Sequence, residues 1–379
     1  MEIKIDRDIF LKCLTHIQGV VEKKNTLPIL SNVLIEAFED KIQVSATDLD
    51  IIITEKISAE VLQQGSTTTT AQVLYDIVRK LPAGSNIHLN LQNDKRLKLI
   101  SGKSDFNLTC LPATEFPILE DSIETDYVEV KSKHLLKLLN KTKFSISNDE
   151  TRHYLNGIYL HKTEDDNQNL VAVATDGHRL SKTQIMLEED KSFHPVILPK
   201  KTIFEIINII SEEGDTPIKI LSVRSKIKFI IKDIILISKV IDGKFPDYER
   251  VIPKDTRKEV KAKVADFISA VDRIKSLSLD RKGVIKINIE NGKLRFFVND
   301  TTSGEGIEEI SANYDGENLE IGFNSGYLMD VANCIQDENI ILLPKDAASP
   351  IIIKDQKDLR EIEARFRASS SSSLPGIKF

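Results

Sequence analysis

No two cysteines in this sequence stand close enough to frame a zinc site or a redox couple. Cys13, Cys110 and Cys334 are the only three, none in a Cys-x-x-Cys pair, so they read as small core residues. Glycine is also sparse, with 16 among 379 residues. None of these builds the glycine-rich loop that cradles phosphate, so no cofactor is expected. No long apolar run is present, which leaves no membrane-spanning segment to expect. Positive charge is not in excess either, since 58 acidic residues outweigh 52 basic ones for a net charge of -6. That balance excludes a chain that coats nucleic acid with its whole surface, and any affinity for phosphate has to come from a local basic face. Met1-Glu2-Ile3-Lys4-Ile5 has neither the basic start nor the apolar stretch of a secretory leader, and a cytoplasmic location is expected.

What is present is core-forming material, 41% hydrophobic and 29% charged residues, in a chain long enough for two or three domains. A search for repeats finds one unit three times. Each copy opens with a short strand and an amphipathic helix, at Ile3 to Val21, Val128 to Phe144 and Val260 to Leu277. In the second, Lys131, Lys133, Lys137, Lys141 and Lys143 alternate with Leu135, Leu136, Leu138 and Leu139, which predicts one core face and one cationic face. A hairpin follows in each copy, Leu34 to Ala46, Ile158 to Ala174 and Val284 to Val298, and its second strand ends at Asp48, Asp176 or Asp300. A second helix (Ala71 to Leu81, Lys200 to Ser211, Ser325 to Gln336) precedes a closing strand pair, Ile87 to Leu111 in copy one and Ile218 to Ile241 in copy two. The near-equal spacing predicts tandem domains at 1–124, 125–252 and 253–379, each an α+β unit of two helices on an antiparallel sheet. Three such units suggest an arc, and two arcs can close as a symmetric dimer.

The stretch Val171 to Leu180 tests for an enzyme. Asp176 and His178 could be an acid/base pair or metal ligands. Asp48, Asp176 and Asp300, however, end equivalent hairpins, so the aspartate is first of all a turn residue, and His178 lacks the partners a general base needs. Only copy two continues as Gly177-His178-Arg179-Leu180, so function is expected where that copy diverges.

The segments Thr26 to Asn32, Thr47 to Asp50, Arg152 to Gly157, Ala174 to Leu180, Lys239 to Pro253 and Glu320 to Asn324, in this order and over nearly the whole chain, resemble the bacterial DNA polymerase III beta subunits, the sliding-clamp family. The resemblance implies three clamp-type domains and a head-to-tail homodimeric ring around double-stranded DNA, non-catalytic and without cofactor or metal. It implies sequence-independent contact with phosphates by Lys24, Lys131, Lys137, Lys141, His153, Tyr154, Lys200 and Lys201. Leu155, Thr175, Gly177, His178, Arg179, Leu180, Pro246, Arg250 and Val251 map onto the family's cleft for short linear peptides. Those peptides come from the polymerase III alpha subunit, the clamp loader, other polymerases and repair proteins. Arg96, Lys103, Leu108, Leu277, Glu305, Glu308 and Glu309 map onto the dimer seam, where Asp105 removes one expected ion pair.

Two plainer readings stand beside these. Leu155, Leu180 and Val251 also suit an ordinary core, and a basic helix face also suits plain solvation, which leaves a ring or interaction scaffold that does not act on DNA. The chain leaves the family pattern near residue 356, where Asp358 to Arg367 and a serine run, Ser369 to Ser373, stand in place of a final apolar strand and a Met-Pro tail. Loss of that strand, and weaker peptide binding, are therefore expected, with Ala348 and Pro350 left to contribute from the preceding loop.

Overall fold

The computed structural model describes residues 1–22, 27–93, 95–118, 126–163, 168–254, 256, 259–277, 283–300, 303–355 and 363–366. Copy one begins where Ile3 and Ile5 alternate with polar residues to make β1 (Glu2–Asp6). The Asp6 carboxylate then accepts from the amides of Asp8 and Ile9, capping α1 (Arg7–Gln18). The copy continues with β2 (Asn32–Phe38), β3 (Lys41–Thr47), β4 (Ile51–Ser58), β5 (Glu60–Gln63), β6 (Gly65–Thr70), α2 (Ala71–Lys80), β7 (Asn86–Gln92), β8 (Arg96–Ser101) and β9 (Ser104–Leu111). Copy two repeats the plan with β10 (Val128–Lys131), α3 (Ser132–Asn140), β11 (Gly157–Lys162), β12 (Asn169–Thr175), β13 (Arg179–Met186), β14 (Val196–Pro199), α4 (Lys200–Glu213), β15 (Pro217–Ser222), β16 (Lys226–Ile231) and β17 (Ile234–Lys239). Copy three has β18 (Val260–Lys263), α5 (Val264–Lys275), β19 (Val284–Glu290), β20 (Lys293–Asp300), β21 (Gly304–Asn313), β22 (Leu319–Asn324), α6 (Ser325–Ala332), β23 (Asn339–Leu343), β24 (Ile351–Asp355) and β25 (Glu363–Phe366).

Three expectations are corrected. The closing pair is a set of three strands, because two-residue reversals at Gly102-Lys103 and Lys232-Asp233 break what reads as one apolar run; Gly102 (φ 57°) and Lys232 (φ 53°) adopt the left-handed conformation such reversals use. The helix α6 stops at Ala332 rather than Gln336, short of Asp337 and Glu338, which a helix C-terminus disfavours. The last strand is not lost. Backbone residues 363–366 form β25, which pairs antiparallel with both β13 and β24.

By contacts the chain divides into two compact units, Met1–Leu136 with Leu187–Val240, and Lys137–Met186 with Ile241–Phe379. The sheet of the first runs β10-β15-β16-β17-β4-β3-β2-β6-β9-β8-β7-β1-β5. In it β4 of copy one zips onto β17 of copy two, Ile51 opposite Ser238 and Ile234 opposite Glu55. The second contains β11-β12-β13-β25-β24-β23-β18-β21-β20-β19-β22. There β13 of copy two takes β25 of copy three in the same way, Arg179 opposite Phe366 and Lys182 opposite Glu363. Equivalent strands thus make the same joint twice. The core of copy three is sealed by Phe267 of α5 edge-on to Phe296 of β20, centroids 5.4 Å apart and both rings fully buried. Each such ring contributes roughly 2–3 kcal/mol of burial. Among the described residues no helix is long and apolar enough to cross a membrane.

Candidate functional site

The break after β12 is a side-chain-braced turn. Thr175 Oγ1 donates to the Arg179 carbonyl (2.6 Å) and accepts from the Gly177 amide (3.1 Å), while Asp176 Oδ1 accepts from the amides of His178 and Arg179 (both 2.9 Å). Copy one builds the same turn with Thr47 and Asp48, which bind the Ile51 carbonyl and the amides of Leu49, Asp50 and Ile51. Asp300 receives the Ser303 amide in copy three. The shared aspartate is therefore structural. The residue after it is left-handed in both complete turns, Gly177 at φ 89° and Leu49 at φ 79°.

A Cβ on Gly177 would lie 2.7 Å from Arg152 Nη1, the mobile end of a long side chain. Because copy one holds a leucine in this conformation, Gly177→Ala is expected to fold and to lose about 1–2 kcal/mol. Urea unfolding of the variant checks this, and a loss above about 3 kcal/mol would mean that Arg152 cannot move aside.

Strand periodicity then sorts the candidates onto two faces. Leu180 pairs with Thr175 and Lys182 with Val173, which in turn faces Tyr159, so Leu180, Thr175, Val173, Lys182 and Tyr159 share one face. Phe245 stacks on Tyr159 of that face, with centroids 4.9 Å apart and planes at 9°. The segment from Phe245 through the 3-10 turn Tyr248–Val251 is thus tied to that face at Phe245. Leu155 and Leu180 are 0% and 3% exposed, so both are core side chains. Pro246, Val251, Thr175 and Gly177 are half-buried, and His178 is exposed at the turn. Arg250 is 83% exposed and paired with Asp247 at 2.7 Å.

Arg179, which the resemblance maps onto the cleft, projects from the sheet face opposite Leu180. It shares the opposite face with Ser181, whose hydroxyl donates to the Thr142 carbonyl, and its side chain is 10% exposed. Its guanidinium donates to Asp176 Oδ2 (3.1 Å), to Asp330 Oδ2 on α6 (2.5 Å) and to the Phe144 carbonyl. It also lies over the rings of Tyr327 (4.3 Å) and Phe144 (5.3 Å). Neither Asp330 nor Tyr327 was singled out by the sequence. A signal exists in the repeat, since Lys201 on α4 reaches back to Asp48 of copy one (2.5 Å) just as Asp330 on α6 reaches back to Arg179 of copy two.

The basic candidates separate as well. Lys24 lies outside the described residues. Lys131 is exposed, 3.4 Å from Glu188, and Lys200 is exposed at the start of α4. Lys137 and Tyr154 are half-buried, and His153 is exposed with its ring edge-on to Tyr154 at 5.7 Å. Lys201 is held by Asp48, Glu22 and the Val20 carbonyl. Lys141 is a correction. It is 3% exposed and donates to the equally buried Asp355, because α3 ends at Asn140 and the chain swings through a 3-10 turn at Lys143–Ser145 instead of extending the lysine row.

At the expected seam, Arg96, Lys103 and Glu305 are exposed. Leu108 is already buried in its own unit, and Leu277 is partly buried against the copy-three core. Glu308 and Glu309 face their own chain: Arg273 holds Glu308 in a fork (2.9 and 2.7 Å), and Lys293 and Arg295 hold Glu309 (3.0 and 2.9 Å). These hydrogen bonds keep both carboxyls below their ordinary range. Asp105 pairs with Lys98. Among the described residues no cluster of His, Cys, Asp and Glu could hold a metal ion. Burial pushes the thiols of Cys13, Cys110 and Cys334 up, which suits core residues rather than nucleophiles.

Residues 1–120, 129–247 and 249–363 match the N-terminal, central and C-terminal domains of the DNA polymerase III beta subunit. The chain is 40% identical to the beta sliding clamp of Caulobacter vibrioides over 361 residues, covering 94% of this chain and 97% of that one. Its structure is similar to that of a sliding clamp from Bartonella birtlesii bound to griselimycin, at 40% identity and a TM-score of 0.93 over 98% of this chain and 99% of that one. It is likewise similar to the DNA polymerase III subunit beta of Pseudomonas aeruginosa, at 31% identity and a TM-score of 0.91 over 98% and 100%. With three clamp domains in tandem and relatives of this identity matched along almost their whole length, the chain belongs to the DNA polymerase III beta subunit family, the bacterial sliding clamps.

Proposed function

We propose that two copies of this chain join head to tail into a ring that encircles double-stranded DNA and tethers polymerases to it. The partners are the polymerase III alpha subunit, the clamp loader, other polymerases and repair proteins, each held by a short linear peptide in the cleft floored by Leu155 and Leu180 and edged by Pro246, Arg250 and Val251. The protein acts in the cytoplasm without catalysing a reaction. The domains are 1–124, 125–252 and 253–379, each joint being made where one copy's third hairpin strand meets the next copy's last strand. DNA contact is by exposed basic groups such as Lys131 and Lys200, and it reads no bases.

The observation that carries this reading is the repeated joint. β4 takes β17 and β13 takes β25, so the equivalent strand of copy three, β21, and the equivalent closing strand of copy one, β9, are the two ends left over. Among the described residues β21 pairs with β20 along its length and with β18 only at Ala312 and Asn313. β9 pairs with β8 and, only at Cys110 and Leu111, with β6. Each therefore offers an unpaired edge, and exposed apolar residues lie along them, Phe106 on β9 and Ile307 on β21. A free edge of this kind invites a strand from another chain, and the joint already used twice supplies the geometry. A head-to-tail contact that closes makes a ring.

Two measurements test it. Sedimentation across a concentration series is expected to give a dimer, and a stable monomer would overturn the ring. The loaded protein is expected to stay on nicked circular DNA and to slide off once the circle is cut. Equal loss from both forms would leave an ordinary DNA binder, and no retention at all would leave a scaffold that does not act on DNA.

A further inference from the structure

We infer that Tyr159 and His161 of β11 are positioning residues that hold the Phe245–Val251 wall of the peptide cleft, with Tyr248 as the group they grip. This rests on the cleft reading above and adds to it the device that sets the wall's position. Four rings run in a row from the sheet into the covering segment. Phe245 stacks on Tyr159 (4.9 Å, 9°), Tyr159 on His161 (4.8 Å, 26°), and His161 meets Tyr248 at 5.8 Å and 46°. Tyr159 and His161 are two apart on β11 and so rise from the same face, the face that also carries Thr175 and Leu180. Phe245 and Tyr248 are buried, and between them sits Pro246. Whatever fixes Phe245 and Tyr248 therefore fixes Pro246, and through the turn Tyr248–Val251 it fixes Arg250 and Val251.

Hydrogen bonds tie the row to the covering segment. His161 Nδ1 is 2.8 Å from the Lys162 carbonyl, which can only accept, so Nδ1 carries the proton. Its Nε2 lies 2.9 Å from the Tyr248 hydroxyl, which is also hydrogen-bonded to the neighbouring Glu249 carboxylate. Burial, and after it the Glu249 carboxylate, raises the Tyr248 phenol above its ordinary value, so the proton stays on the oxygen. A second clamp comes from β13, where Lys182 donates to Glu249 Oε1 (2.8 Å) and lies 5.4 Å over the Tyr248 ring. Lys182 is two residues from Leu180 on the same face, so wall and floor of the cleft are tied to one another through adjoining strands.

The test uses the full chain and a fluorescein-labelled peptide carrying the clamp-binding segment of a polymerase III alpha subunit. The variants Tyr248→Phe and His161→Phe keep a ring in the row and remove the hydrogen bond. Each is expected to weaken peptide binding by about three- to tenfold, the size of one lost buried hydrogen bond. Tyr248→Phe is expected to cost at least as much as His161→Phe, because it also removes the hydroxyl's bond to Glu249, and the double variant is expected to bind no worse than Tyr248→Phe alone. Amide hydrogen exchange is expected to quicken at 245–251 and to stay unchanged in β12 and β13, which a general loss of stability would not produce. Leu180→Asp is the control for the cleft itself. If Leu180→Asp abolishes binding while both phenylalanine variants bind like the parent, the positioning role is wrong. If Leu180→Asp binds normally, the cleft reading itself fails.

Discussion

Arg179→Ala is expected to lower stability by about 3 kcal/mol and to weaken peptide binding, although its guanidinium lies on the sheet face opposite Leu180. The side chain gathers an aspartate of its own turn, an aspartate of α6, the carbonyl of Phe144 and two aromatic faces. Removing it leaves Asp176, only 15% exposed, beside a carbonyl that has lost its donor. Breaking a buried pair from one side costs about 3–5 kcal/mol, and the low end applies because Asp330, 45% exposed, can return to water. Lysine should recover only part of the loss, since one ammonium cannot serve three acceptors spread around a planar fork. Asp176→Asn separates the two duties of the turn. Its Oδ1 still accepts from the amides of His178 and Arg179, so the turn survives and the cost falls to about 1 kcal/mol. Urea unfolding ranks the three variants, and an Arg179→Ala protein as stable as its parent would show that the cluster only decorates the turn. Peptide affinity is expected to follow the same order, because β13 carries Arg179 on one face and Leu180 on the other.

Much of this architecture can be read from spacing. The three strand-helix openings, the three hairpins and the aspartate that ends each hairpin recur at near-equal intervals, and a turn residue leaves its mark locally. What the spacing hides is pairing between copies. β4 with β17 and β13 with β25 lie far apart in the chain, and nothing in an apolar strand names its neighbour. The same limit applies to charges. Arg179 and Leu180 are mapped together onto the cleft by the resemblance, yet adjacent strand residues point to opposite faces. His161 and Tyr159 sit inside a hairpin strand, and their partners arrive from a segment 87 and 86 positions later. Glu308 and Glu309, which the resemblance maps onto the seam, are already served within the chain by cations on α5 and β20. A chain that repeats itself does offer one further clue: a contact found between two copies has a counterpart between the next two, as Lys201 with Asp48 and Asp330 with Arg179 demonstrate with the charges exchanged.

Lys141→Ala is expected to be the most destabilising single change among the lysines first assigned to DNA, by about 3–5 kcal/mol, and to leave the salt dependence of DNA binding where it was. The ammonium and the Asp355 carboxylate are both 3% exposed, and Asp355 Oδ1 also accepts from the amides of Gln336 (2.9 Å) and Asp337 (3.4 Å). The aspartate thus anchors the chain where it leaves α6, and the lysine neutralises the anchor. Taking the lysine away strands a carboxylate in the interior, which costs far more than the pair contributes. Lys141→Met with Asp355→Leu removes both charges and should recover part of the loss, though not all, since two backbone amides lose their acceptor. Lys131→Ala makes the opposite prediction. Exposed beside Glu188, it should barely move the urea midpoint. If it contacts phosphate, it should reduce the slope of log affinity against log salt by about one for a duplex oligonucleotide. A slope that falls in Lys141→Ala with no loss of stability would return that lysine to the DNA face and sink the buried-pair account.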